Sequence, residues 1–166
     1  MKEFLENFTF DEHNKDTKLN MSNLLRNSDK IISNKLVHMS ILAVLLFNEH
    51  SLANTFYNDS ELNEDDLFNV KAAKDIMNMN NIYYRGKHLL GSEYATVKAN
   101  LRMNIYNNDK INKDEFEFIS LVISFINNCE FCIKSHAKLL QKNGFTVEQI
   151  HEGLRIASIV NSLSKI

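Results

Sequence analysis

From Lys35 to Asn48 the chain reads KLVHMSILAVLLFN, apolar on nearly every side, and this predicts a buried central helix. Ahead of it, Leu19 to Leu25 and Lys30 to Ile32 read as shorter amphipathic pieces. Asn63 is followed by Glu64, Asp65 and Asp66, an N-cap with three acids at the positive end of a helix. Leu67, Val70, Ala73 and Met77 then fall on one stripe, and that helix is expected to end near Met79. Asn80 to Tyr94 (NNIYYRGKHLLGSEY) reads as a connecting stretch with short turns, in which Tyr83-Tyr84-Arg85 form an aromatic-basic cluster. Asp114 and Glu117 have capping-box spacing ahead of FISLVISFI, a second buried helix. Asn127-Asn128 breaks the pattern and can cap a helix from Cys129 to Asn143, which Gly144 ends at C′. Thr146 and Gln149 form another capping box, opening a last helix with Ile150, Leu154, Ala157 and Val160 or Asn161 facing inward.

These elements predict an all-α fold, one helical domain over residues 1–166. Composition agrees: no Pro and four Gly are too few turn residues for a sandwich or barrel, while 23 Asn supply caps. The order of buried helix, polar break, helix and capped helix occurs from Lys35 to Met79 and again from Asp114 to Ile166, an internal pseudo-repeat. A net charge of −2 argues against a protein that finds nucleic acid or anionic membrane by electrostatics. The longest apolar run, Ile41 to Phe47, is far short of the roughly 20 residues of a membrane span. The opening MKEFLENFTF lacks an apolar signal core, so a cytoplasmic protein is expected.

Both cysteines lie in NNCEFCIKSH, at Cys129 and Cys132, with His136 four residues on. On a helix these are positions i, i+3 and i+7 of one face. Helical i, i+3 spacing brings the Cα atoms to about 5 Å, within the range of a disulfide. The pair opens the predicted helix, where unpaired N–H groups favour a thiolate and depress its pKa. His136, one turn beyond Cys132, is placed to exchange its proton. A reactive dithiol is the leading reading. A structural disulfide would restrain the unfolded chain by only about 2 kcal/mol over so short a loop. A zinc site would use Cys129, Cys132 and His136, with His151 as fourth ligand, but no second pair is visible. Inert packing is the remaining alternative. Glu117 reads either as the capping-box partner of Asp114 or as a carboxylate that orients His136.

Glu117–x11–Cys129–x2–Cys132–x3–His136 resembles the alkyl hydroperoxidase D family, within the carboxymuconolactone decarboxylase-like superfamily. DTKLNMSNLL (Asp16 to Leu25), IMNMNNIYYRG (Ile76 to Gly86), LRMNIYNNDKINKDEFEF (Leu101 to Phe118) and INNCEFCIKSH (Ile126 to His136) resemble the family's segments in order. The resemblance implies an all-helical protomer with a pseudo-repeat, assembled as a homotrimer. It implies an antioxidant peroxidase with no bound cofactor or metal, using dihydrolipoamide as external reductant. Cys132 would be the peroxidatic thiol passing through a sulfenic acid. Cys129 would resolve it as the Cys129–Cys132 disulfide and face the partner. His136 and Glu117 would form the proton relay. Implied partners are a dihydrolipoyl acyltransferase, dihydrolipoamide dehydrogenase and the peroxiredoxin component of the alkyl hydroperoxide reductase system.

Two departures change the expectation. Phe131 stands where some members carry an additional relay His, and Glu130 beside it is expected to raise a nearby thiol pKa. The chain stops at Ile166, so a shorter last helix is expected. Rival functions are a superfamily decarboxylase acting on a lactone acid, and a non-catalytic redox sensor or zinc-binding adaptor.

Overall fold

The computed structural model describes residues 2–166, and among them there are helices and turns but no strand. The helices are α1 (Lys2–Glu6), α2 (Lys15–Asn27), α3 (Asn34–Phe47), α4 (Ala53–Asp59), α5 (Glu64–Leu90), α6 (Lys113–Ile126), α7 (Glu130–Lys142) and α8 (Val147–Leu163). Short 3-10 turns at Ser28–Lys30, Ser92–Tyr94 and Asn104–Asn107 join them.

The two helices that read as apolar on all sides form the centre. Every residue from Leu36 to Leu45 in α3 and from Phe116 to Ser124 in α6 is buried. Within α3, Ser40 is accommodated locally, its Oγ donating to the Leu36 carbonyl at 2.7 Å. Around this pair pack α5, α7 and α8, and α2 closes on α8. Gly153 of α8 is buried against α6, where an added Cβ would lie 3.0 Å from the Phe118 ring. Lys35 ties three helices together, reaching Asp66 Oδ1 at 2.7 Å and Glu115 Oε1 at 2.9 Å.

Helix, break, helix and capped helix occur in order as α3–α4–α5 and as α6–α7–α8. The copies are unequal, since α4 has 7 residues where α7 has 13. Asn63 and Thr146 cap the third helix of each unit with complete capping boxes.

Several local expectations need correction. The pieces expected at Leu19–Leu25 and Lys30–Ile32 are instead one 13-residue helix followed by the Ser28–Lys30 turn. The helix expected to stop near Met79 continues to Leu90, so Asn80 to Leu90 is helix rather than connection. Asn80 and Asn81 are buried and turn their amides to other elements, so they do not compete for their own backbone as caps. The N-cap of α6 is Asn112, whose side chain accepts from the backbone of Asp114 and Glu115, which releases Glu117 from the box. In α8 the inner face runs through Gly153, Ile156, Ala157, Val160 and Leu163, while Leu154 is exposed.

Candidate active site

The turn between α6 and α7 builds the site. Asn128 adopts φ +51°, a left-handed conformation that Asn tolerates better than most residues. This lets Asn128 N–H donate to the Phe125 carbonyl and Cys129 N–H to the Ser124 carbonyl, each at 3.2 Å. That pair of bonds is a Schellman closure of α6. Cys129, its last participant, is also the N-cap of α7, and its sulfur accepts the backbone N–H of Cys132 at 3.4 Å. The CxxC therefore begins at the cap itself, with Cys132 at the third helical position. Both thiols are free and buried.

The depressed thiol expected at this helix end is not what Cys132 shows. Burial, then hydrogen bonding and charge from Cys129, push its thiol up to about 12. Its own N–H and a hydrogen bond from Asn81 pull the other way, but they do not outweigh desolvation. Glu130 is not the cause: it is exposed, and its ion pair with Lys134 holds its own carboxyl below the usual range.

Glu117, one turn into α6, and His136, on the second turn of α7, meet across the helix pair. His136 Nδ1 lies 2.6 Å from Glu117 Oε2, with both side chains largely buried. Nδ1 is thereby engaged, and Nε2 is the ring nitrogen available for proton exchange. Tyr106, half-buried in the Asn104–Asn107 turn, faces the same carboxylate. Burial, with the charge and hydrogen bonding of Glu117, raises its phenol above the ordinary value. A buried dithiol with a carboxylate-held imidazole one turn away can perform proton-coupled thiol chemistry.

Comparison with known proteins points the same way. The Carboxymuconolactone decarboxylase family pattern matches residues 93–166, the segment holding α6, α7 and α8. The alkyl hydroperoxide reductase AhpD of Coxiella burnetii is 38% identical over 160 residues, covering 93% of this chain and 90% of that protein. That of Maricaulis maris is 40% identical over 157 residues, covering 93% and 91%. That of Streptomyces coelicolor is 32% identical over 161 residues, covering 92% and 86%. The chain belongs to the AhpD family.

In this AhpD-family chain the four residues singled out from sequence, Glu117, Cys129, Cys132 and His136, lie on α6 and α7 and at the turn between them. His151, the conceivable fourth zinc ligand, is exposed on α8. Among the described residues no group of three or more His, Cys, Asp or Glu is arranged to hold a metal ion. Nor is any helix among them long and apolar enough to cross a membrane.

Sequence reasoning missed the contribution of α5. Asn81, fully buried, donates to Ser124 Oγ at 2.9 Å and accepts from Asn127 Nδ2 at 3.0 Å. Arg85, one turn on, donates to the Asn127 carbonyl. The long helix thus clamps the turn that carries Cys129, and the Asn81 amide also meets the Cys132 sulfur. A signal was present: extending the Val70, Ala73, Met77 stripe by three, four and seven residues lands on Asn80, Asn81 and Tyr84. Phe131, between the cysteines, is exposed and stacks on Tyr84, with ring centroids 5.3 Å apart. Tyr83, Tyr84 and Arg85 are therefore consecutive residues of α5 rather than a turn, with Tyr84 and Arg85 reaching the CxxC segment and the turn before it.

Proposed function

We propose that the protein is an antioxidant dithiol peroxidase and electron adaptor, with dihydrolipoamide as its external reductant. The observation that carries this reading is the convergence of a buried CxxC at the start of α7 with the Glu117–His136 pair. The AhpD relatives, named alkyl hydroperoxide reductases, support peroxide as the oxidant.

His136 takes the Cys132 proton as the peroxide arrives. The Cys132 sulfur then attacks a peroxide oxygen, forming an S–O bond as the O–O bond breaks, and His136 returns the proton to the leaving alkoxide. Cys129 attacks the sulfenic sulfur, and hydroxide leaves with the Cys129 proton as water. One hydroperoxide and two thiols thus give an alcohol, water and the Cys129–Cys132 disulfide. The high thiol value makes the relay necessary, since very little Cys132 is ionised at neutral pH before the substrate arrives. A dihydrolipoyl group then reduces the disulfide by thiol–disulfide exchange, becoming a cyclic disulfide itself. Within this reading the chain works in the cytoplasm as a homotrimer. Its partners are a dihydrolipoyl acyltransferase, dihydrolipoamide dehydrogenase and the peroxiredoxin component of an alkyl hydroperoxide reductase system.

Intact mass of the purified protein, before and after one equivalent of peroxide, tests the cycle. The expected result is metal-free protein that loses two hydrogens and regains them with dihydrolipoamide. Thiols that ignore peroxide, or one retained zinc, would overturn it.

A further inference from the structure

Two side chains from different segments meet at one buried carboxylate. Glu117 is 6% exposed, and His136 Nδ1 occupies its Oε2 at 2.6 Å. An ionised carboxylate accepts several hydrogen bonds, and out of water one imidazole leaves it short of donors. The phenol of Tyr106 supplies a further hydrogen bond to the same side chain. Tyr106, Glu117 and His136 line one cleft between α5, the Asn104–Asn107 turn and the α6–α7 pair.

The ring of Tyr106 is held from several sides. It meets Phe116 edge-on, with centroids 5.4 Å apart and planes at 80°, and Lys113 Nζ lies 5.2 Å from its centroid. Both neighbours belong to the first turn of α6, just ahead of Glu117. Its backbone N–H donates to the Met103 carbonyl at 3.2 Å, and Met103 Sδ accepts from the buried Asn80 of α5 at 3.1 Å. The turn is thereby tied to two helices. A phenylalanine would make each of these ring and backbone contacts, so the contribution particular to tyrosine is the hydroxyl on Glu117.

The charged groups around that hydroxyl are Asp114 and Glu117 of α6, with Lys113 over the ring and His136 of α7 on the same carboxylate. From α5 the cleft receives only the uncharged Ile76, Met77 and Asn80. Burial, then the charge and hydrogen bonding of Glu117, raise the phenol above its ordinary value, so it remains a donor at neutral pH.

We propose that Tyr106 is a positioning residue of the proton relay, its O–H donating to Glu117 while Glu117 holds the His136 imidazole. That role rests on the peroxidase reading and extends the relay to three side chains, from the Asn104–Asn107 turn, α6 and α7. The phenol transfers no proton and touches no reacting atom. It fixes the carboxylate toward Nδ1 and takes up part of its charge. A carboxylate that shares its charge in this way pulls less strongly on the imidazolium proton, so the imidazole is neutral, and able to take the Cys132 proton, at lower pH.

Two readouts on the full chain test this. In reduced protein labelled at the tyrosine ring carbon that bears oxygen, the NMR signal lost in Tyr106→Phe identifies Tyr106. It is expected to titrate above an ordinary tyrosine in the wild type and lower in Glu117→Gln than in the wild type. A titration that Glu117→Gln leaves unmoved would overturn the proposal. The second readout is the pH profile of Cys129–Cys132 disulfide formation with tert-butyl hydroperoxide, followed by quenched flow, thiol alkylation and mass spectrometry. Tyr106→Phe is expected to react about tenfold more slowly at pH 7, with the acid limb moved up by about half a pH unit and the melting temperature nearly unchanged. An acid limb at the wild-type position, with or without a change in melting temperature, would make Tyr106 a packing residue and overturn the proposal while the peroxidase reading stands. A dithiol that ignores peroxide in both proteins would overturn the peroxidase reading and the relay role with it.

Discussion

Glu117 Oε2 sits 2.6 Å from His136 Nδ1, a contact between residues 19 apart that fixes the orientation of the imidazole and leaves Nε2 as the ring nitrogen outside it. Its consequence is an imidazole held in orientation one helical turn along α7 from a thiol whose pKa burial raises.

Glu117→Gln keeps the side-chain shape but removes the charge that holds the imidazole in one tautomer. Peroxide turnover is expected to fall about 10²-fold, with circular dichroism and the unfolding midpoint nearly unchanged, because Asn112 and not Glu117 caps α6. Loss of helicity with the activity would return Glu117 to a structural role.

The two cysteines should be separable. Cys132→Ser is expected to abolish peroxide consumption, whereas Cys129→Ser should accumulate a sulfenic acid at Cys132 that dimedone traps and mass spectrometry locates. Equal trapping in both variants would contradict the assigned order.

With Cys132 raised to about 12, the thiolate fraction at pH 7 is on the order of 10⁻⁵ and climbs tenfold per pH unit. Iodoacetamide labelling of Cys132, read by peptide mapping, should therefore rise about tenfold per unit from pH 7 to 10 without a plateau. Asn81→Ala removes a hydrogen bond that favours the thiolate and should slow labelling at every pH in that range. A plateau between pH 8 and 9 would show an ordinary thiol. The linkage has a definite sign. The folded value lies above the unfolded one, so stability is full below about pH 8.5 and is lost as pH rises toward 12. The stability difference between wild type and Cys132→Ser, read by urea titration, should be constant with pH below that window and change only within it.

Asn128 at φ +51° is the hinge of the Schellman closure that delivers Cys129 to its cap position. Asn128→Gly should fold with the same stability within about 1 kcal/mol, whereas Asn128→Val, a β-branched residue in left-handed backbone, should cost about 1–3 kcal/mol. Urea unfolding measures both. An equal midpoint for the two would mean that the turn carries no such constraint.

The sequence by itself determined what depends on near neighbours along the chain. The all-helical class, the two helices buried on every side, the N-cap at Asn63, the capping box at Thr146 and the break at Asn127-Asn128 all follow from periodicity and backbone capping. So does the placing of Cys132 and His136 one turn apart on α7, which needs only helical spacing, whereas Cys129, expected to open the helix on the same face, is its extended N-cap instead.

The tertiary structure decided what depends on groups distant in sequence. Asn80 and Asn81 looked like helix-ending residues, and only bonds to Met103, Ser124 and Asn127, 23 to 46 residues away, keep α5 running through them. Glu117 had two local readings until Asn112 took the cap and His136 took the carboxylate. The Cys132 thiol looked depressed from its helix position but is raised, since desolvation is a property of everything packed around the sulfur. Local order is written in short-range spacing, whereas burial and cross-helix hydrogen bonds exist only once the helices have packed.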